Sequence, residues 1–418
     1  MVTAFANSSL FLAEAQESYV PFMPLAEVRA MFDNSTKVCM AIGGWGDTDG
    51  FSKGSATNAT RAVYARKVAQ TMTDLGYDCV DVDWEYPGGN GQDYKLVPNS
   101  NKTTEVANYP LLLQAIKTAI GGKELSIAVP GLKRDMMAYC NSSVPRINTI
   151  VDFVNVMSYD LMNRRDNVTK HHTSIKGSLE AVDTYIERGF TPSKLTLGFA
   201  FYAKFFTLAN STATCDKPTG CATALLENPI DGSDTGLSGA MTFEASNFAP
   251  VPSNLTVGSG TCGQGTFFKC AESDCCSQYG SCGTSDAHCG LGCQNGYGKE
   301  CQGFSVADSF KSALANGSYD EVEGGHWYID QPNHIFWTWD TPEEIHKKYT
   351  DIVVSRQLGG VMAWSLAEDS YGWDRLRALQ AVMTNSTTVN TRSTDWVHSH
   401  GERSLQMRTP RVIRAGNM

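Results

Sequence analysis

The sequence predicts an α/β protein built on a parallel sheet. Two observations carry this expectation: seven short runs rich in β-branched and aromatic residues recur along the 418-residue chain, and amphipathic stretches stand between them. A third observation, the break in that cadence from Phe206 to Asp330, predicts a separate unit inserted between the last two strands. Seven strands in this order fit either a doubly wound sheet or a (β/α)8 barrel with one strand unaccounted for.

The strands are expected at Val2–Asn7, Val38–Gly44, Cys79–Pro87, Leu125–Gly131, Phe153–Leu161, Leu195–Ala203 and Gly360–Leu366. Helices are expected at Arg61–Leu75, Glu105–Ile120, Ser174–Arg188 and Pro342–Arg356, the last opening with Thr341-Pro342-Glu343-Glu344, a cap followed by a proline suited to the first turn. The interrupting region is rich in Gly, Ser, Asn and Cys, and Gly258-Ser259-Gly260 leads into a cysteine cluster, which predicts a smaller insertion inside the larger one. Past Met383 there is no apolar period, and Arg392, Arg403, Arg408, Arg411 and Arg414 make the segment mildly basic. Residues 385–418 are expected to be a disordered tail.

Charge and composition exclude some functions. The balance is 34 basic to 44 acidic residues, net −10, with no basic run interleaved with aromatics, which argues against a nucleic-acid surface. No apolar run reaches membrane-spanning length, and Met1-Val2-Thr3-Ala4-Phe5 does not begin a signal peptide. Two features nonetheless predict a secreted protein. Acceptor sequons stand at Asn7, Asn34, Asn58, Asn101, Asn141, Asn167, Asn210, Asn254, Asn316 and Asn385, more than twice what the composition gives by chance. Eight of the 13 cysteines lie between Cys262 and Cys301, the density of a disulfide-stapled module.

The most informative segment is Asp78-Cys79-Val80-Asp81-Val82-Asp83-Trp84-Glu85-Tyr86-Pro87. On a strand, Asp81, Asp83 and Glu85 share one face and Val80, Val82 and Trp84 the other. Three acids would then point into a barrel interior that is normally apolar, where an unpaired carboxylate costs several kcal/mol or takes up a proton. Carboxylates this close share protons, and the outermost, Glu85, is expected to hold one near neutral pH as a general acid needs.

The pattern Asp78-x-x-Asp81-x-Asp83-x-Glu85 resembles the signature of glycoside hydrolase family 18, the chitinases and their relatives. Ile42-Gly43-Gly44-Trp45, Met157-Ser158-Tyr159-Asp160, Gly198-Phe199-Ala200-Phe201-Tyr202 and Gly360-Val361-Met362-Ala363-Trp364 resemble its other motifs in order and spacing, over about residues 2 to 380. The resemblance implies a (β/α)8 TIM barrel. It also implies that Glu85 protonates the glycosidic oxygen while the substrate's own 2-acetamido oxygen attacks the anomeric carbon. Asp83 would orient the acetamide N–H and offset the oxazolinium charge, exchanging a proton with Asp81; Tyr159 would donate to the acetamide oxygen and Asp160 would support the sugar and the acid. Trp364 would form the apolar floor of the cleavage subsite, with Tyr86, Gly44, Trp45, Met157 and Tyr202 as further substrate contacts. Ala41 stands where the family often has Ser, and Lys204 where Arg usually follows the Tyr. Val2–Asn7 resembles the family's second strand, so the barrel is expected to lack its first strand and the chain to be a truncated form of a longer secreted precursor.

The resemblance divides the chain into a catalytic barrel (1–206 and 331–384), an α+β insertion domain forming one cleft wall (207–257 and 304–330) and a small disulfide-rich module (258–303). Trp327 and Trp337 are candidates to line the cleft. The cysteine spacing, with Cys275-Cys276 followed by Ser277-Gln278-Tyr279-Gly280-Ser281-Cys282-Gly283, resembles the hevein-type chitin-binding module. That resemblance implies bridges Cys262–Cys276, Cys270–Cys282, Cys275–Cys289 and Cys293–Cys301, and sugar contacts from Ser277, Tyr279 and His288, with Tyr279 the main platform. Of the other cysteines, Cys215 and Cys221 are close enough to pair, Cys39 and Cys79 are expected as reduced core residues, and Cys140 has no evident partner. A zinc site is disfavoured because paired C-x2-C ligands are missing, and no cofactor is expected.

The leading expectation is a secreted, monomeric chitinase acting on chitin and chitooligosaccharides. A non-catalytic chitin-binding lectin is disfavoured by the presence of Glu85. An endo-β-N-acetylglucosaminidase on N-glycans shares the signature but not the need for a chitin-binding module.

Overall fold

The computed structural model describes residues 2–387 apart from 210–214, 245–246, 248 and 303. Strands β1 (Val2–Ala6), β2 (Val38–Gly43), β3 (Cys79–Asp83), β4 (Glu124–Pro130), β5 (Phe153–Met157) and β6 (Leu195–Ala200) lie side by side in sequence order, all parallel. After β6 the chain leaves this sheet. It runs through β7 (Tyr202–Thr207) and β8 (Ser238–Thr242), then four two-residue strands, β9 (Thr256–Val257), β10 (Phe268–Lys269), β11 (Cys275–Cys276) and β12 (Cys282–Gly283), then β13 (Ser318–Asp320), β14 (Gly325–Asp330) and β15 (Ile335–Trp339). β16 (Gly360–Trp364) returns beside β6 and completes a curled parallel sheet of seven strands whose edges are β1 and β16. Phe5 of β1 and Trp364 of β16 meet edge to face across the opening, with ring centroids 5.6 Å apart.

Helices cover the outside of this sheet for reasons written locally. The helix Asn58–Leu75 starts at a reciprocal cap between Thr57 and Thr60 and stops at Gly76, whose φ of 81° suits glycine. Trp84, on the outward face of the acidic segment, is fully buried between Phe51, stacked at 5.3 Å, and the edge of Tyr109 at 5.7 Å. The helix Pro342–Lys348 has the expected Thr341 cap, but from Tyr349 to Val354 it continues as a wider π-turn rather than as regular helix. No described helix is long and apolar enough to cross a membrane.

The second sheet is antiparallel, in the order β13-β14-β15-β7-β8, and the helix Val306–Asn316 packs on it through Phe310, which stacks on the buried Trp337. Its extent corrects an expected strand end. The strand expected at Leu195–Ala203 breaks at Phe201, and Tyr202 already belongs to the second sheet, whose strand β15 ends at Trp339. The reason is pairing: Lys204 to Thr207 align with Thr338 to Ile335 in the antiparallel register of β7 and β15. A second correction concerns Cys39 and Cys79, which are joined in a disulfide. Parallel register places them directly opposite on β2 and β3, with Cα atoms 4.4 Å apart, within bonding range. Of the segment 385–418, residues 385–387 end the helix Asp374–Thr387, and the rest, like the sequon at Asn210, lies outside the described residues.

Candidate active site

The carboxyl ends of the parallel strands open into a cleft of about 630 Å³. Its floor is polar. Thr196 donates to Asn155 Oδ1 at 2.8 Å, Asn155 donates to Asp81 Oδ1 at 3.2 Å, and Ser126 also donates to Asp81. This ladder crosses four adjacent strands and satisfies the deepest acid. Alternation along each strand aims these side chains inward, because Asn155, Met157 and Tyr159 occupy every second position.

Above the ladder sits Asp83, buried, its Oδ1 without a hydrogen-bond partner. Regular strand pairing ends at Asp83, so Glu85 lies just past the strand expected to run to Pro87, half-buried at the cleft. The turn after β2 holds this end in place. Gly44 N–H donates to the Asp83 carbonyl at 2.8 Å, and any side chain on Gly43, whose φ is 106°, would collide with that same carbonyl.

Burial dominates the electrostatics. It lifts Asp81 to about 6 against the hydrogen bonds from Ser126 and Asn155. It holds Asp83 well above the usual carboxylate range, with the charges of Glu85 and Asp81 adding to the effect. Glu85 is raised to about 7, again chiefly by burial, partly offset by a hydrogen bond from Tyr86 and reinforced by Asp160 and Asp135. The three acids therefore share protons, and the outermost holds one near neutrality.

Across the cleft, Asp160 has a positive φ of 53° and accepts from the Tyr202 hydroxyl at 2.7 Å. Lys204, in the place where an Arg was expected by resemblance, pairs with the same oxygen at 3.1 Å. Tyr159 lines the cleft with its hydroxyl against Met362 Sδ at 3.6 Å, edge-on to Tyr202. Trp45, Tyr86, Gly44, Met157 and Trp364 also line it, and Trp364 is 40% exposed. Asp81, Asp83, Glu85, Tyr86, Gly44, Trp45, Met157, Tyr159, Asp160, Tyr202 and Trp364 thus line one cleft. Trp327 and Trp337 are not among the lining residues; Trp337 is fully buried in the core of the second sheet.

The cysteine-rich module divides differently. Its bridges are Cys262–Cys276, Cys270–Cys282, Cys275–Cys289 and Cys293–Cys301, with a further bridge, Cys215–Cys221, outside it. Cys262, Cys270 and Cys282 have sulfurs within 4.8 Å of one another, but all three are in disulfides and offer no thiolate to a metal. Ser277 is buried and its hydroxyl accepts from the Ser281 N–H at 3.1 Å, while His288 Nδ1 lies 2.7 Å from the Ser285 hydroxyl. Of the three module residues, Tyr279 alone lines the cleft.

Sequence reasoning missed several lining residues. Asn155 was readable as a polar residue at an inward position of a strand of the parallel sheet. Asp135, Arg164, Arg165 and Asp234 lie on connecting loops with no periodic signal, and only the folded chain brings them to the cleft. Arg165 stacks on Tyr94 at 3.9 Å and faces Trp45 at 5.4 Å, fixing the rim.

A family model described as glycosyl hydrolases family 18 matches residues 1–369. Endochitinase 1 of Metarhizium robertsii is 29% identical over 199 residues, 43% of this chain and 43% of the relative. Sporulation-specific chitinase 2 of Saccharomyces cerevisiae is 29% identical over 222 residues, 49% and 42% respectively, so the matches span less than half the length of these relatives. Among solved structures, catalytic domain 2 of the Ostrinia furnacalis Group II chitinase superposes with a TM-score of 0.61 at 17% identity, covering 92% of this chain and 87% of that one; a mutant of it has been solved with penta-N-acetylchitooctaose.

Proposed function

The chain belongs to the glycosyl hydrolases of family 18, and on that premise we propose that it is a chitinase, cleaving β-1,4 links between N-acetylglucosamine units by a retaining, substrate-assisted mechanism. The observation that carries this reading is Asp83 Oδ1, a buried acceptor with no partner, directly below an acid held protonated to about pH 7. A substrate acetamide N–H is the donor that this oxygen lacks. Glu85 gives its proton to the glycosidic oxygen as the acetamide oxygen closes on the anomeric carbon, so one C–O bond breaks while another forms. Asp83 passes its proton toward Asp81 and meets the oxazolinium as a carboxylate. Tyr159 donates to the acetamide oxygen before attack, and Asp160, anchored by Tyr202 and Lys204, supports the sugar and the acid. Glu85 then deprotonates the water that opens the oxazolinium, and Trp364 carries the apolar face of the sugar.

Six disulfides and ten sequons support an extracellular site of action. The enzyme acts as a monomer, without a cofactor. The test is hydrolysis of soluble chitooligosaccharides beside a high-mannose glycopeptide, with proton NMR of the first product. Cleavage of the former to an initial β anomer is expected. Exclusive cleavage of the glycopeptide, binding without cleavage, or an initial α product would overturn the reading.

A further inference from the structure

Tyr279 lies just beyond β11 in the cysteine-rich module, yet it lines the same cleft as Glu85 and leaves 61% of its surface to water. We propose that Tyr279 is a sugar-stacking platform of the catalytic cleft itself, so that the inserted module supplies a subsite for the N-acetylglucosamine chain being cut. This rests on the chitinase reading and gives the module a place in the cleft rather than only a grip on solid chitin.

Three observations carry it. The position is fixed: the Tyr279 hydroxyl donates to Asp234 Oδ2 at 3.5 Å, Asp234 pairs with Arg164 at 4.0 Å, and Arg164 pairs with Glu227 at 3.5 Å. Glu227 in turn holds Lys95 at 2.9 Å and the Tyr94 hydroxyl, so charged contacts tie the loop under Tyr279 to two loops of the barrel. The module is seated closely as well, since a side chain on Gly239 of β8 would collide with Gln278. Lastly, the placement is selective. Phe267 and Phe268, also exposed on the module, do not line the cleft. A flat aromatic face at the rim of a carboxylate-lined groove suits the apolar face of a pyranose ring. Sugars bound only around Glu85 do not engage it as longer chains do, so its contribution grows with substrate length.

The test uses the whole chain with Tyr279→Ala, Tyr279→Phe and Phe267→Ala, assayed on chitohexaose and on a chromogenic chitobioside. Tyr279→Ala should raise KM for chitohexaose about three- to tenfold and affect the bioside far less, the scale of one lost aromatic contact. Tyr279→Phe, which keeps the ring, should restore most of the loss, and Phe267→Ala should match the parent chain. Equal changes on both substrates, or a Phe267→Ala effect as large, would overturn the platform. If the parent chain cuts both substrates and Tyr279→Ala matches it, the platform alone fails; if the parent cuts neither, the chitinase reading fails with it. Tyr279 is exposed, and superposable thermal melts would establish that the variants are folded.

Discussion

Burial raises the carboxyls of Asp83 and Glu85 above their ordinary values, and the same shift couples activity to stability. Because the folded pKa exceeds the unfolded one, the folded state binds more protons between them, so stability falls as pH rises from about 4.5 to about 7. Glu85→Gln removes that titration. Its unfolding free energy, measured by chemical denaturation, should therefore gain on the parent as pH rises from 5 to 8, by roughly 1–2 kcal/mol once the partial exposure of Glu85 is allowed for. The same variant should lose at least ~100-fold in hydrolysis rate while still binding chitooligosaccharide, measured by calorimetry. In the parent chain, rate should decline as pH passes about 7, where Glu85 loses the proton it must donate. Near-normal turnover in Glu85→Gln would remove Glu85 from the acid role. That Asp81, Asp83 and Glu85 face one cleft was legible because alternation along one strand leaves few places for them to point. The clamp on Asp160 was not, since Tyr202 and Lys204 reach it from a sheet that only tertiary pairing creates.

Between β2 and β3 the fold is held by two devices, a glycine turn and a disulfide. Gly43→Ala would force a side chain into the Asp83 carbonyl at a φ that L residues rarely adopt. A loss of ~2 kcal/mol or more is expected in chemical denaturation, with a rate loss because the acid strand must shift. The Cys39–Cys79 bridge closes a loop of 40 residues, and replacing both cysteines by alanine should cost about 2–4 kcal/mol without altering KM. Element positions were readable from β-rich runs and caps such as Thr341, and the strands found differ mainly at their ends. The bridge was not, because two cysteines in separate apolar runs become partners only when parallel register sets them opposite one another. Strand ends such as Asp83, where pairing stops before Glu85, likewise depend on neighbours.

At the scale of the molecule, the curled parallel sheet, the antiparallel sheet and the cysteine module converge on one groove. Replacing Cys262–Cys301 by a short Gly/Ser link uncovers Asp234 and Gly239, so activity on soluble chitohexaose should fall along with activity on insoluble chitin. Loss confined to the solid would instead describe a tether. The insertion was legible as a break in cadence, but its docking was not: Arg164, Glu227 and Asp234 belong to no motif, and their network exists only once three loops meet. The opening between β1 and β16 has a different consequence. Val361, Met362 and Ala363 of β16 are only half-buried, whereas β3 is buried throughout and flanked on both sides. Backbone amides at such edges open by local fraying, while those of enclosed strands open only with the whole domain. In deuterium labelling the exchange front should therefore travel inward from both sides of the seam, reaching β4 last and the adjacent strand that carries Asp81 and Asp83 just before it. The buried acids would then sit among the slower-exchanging strands of the sheet.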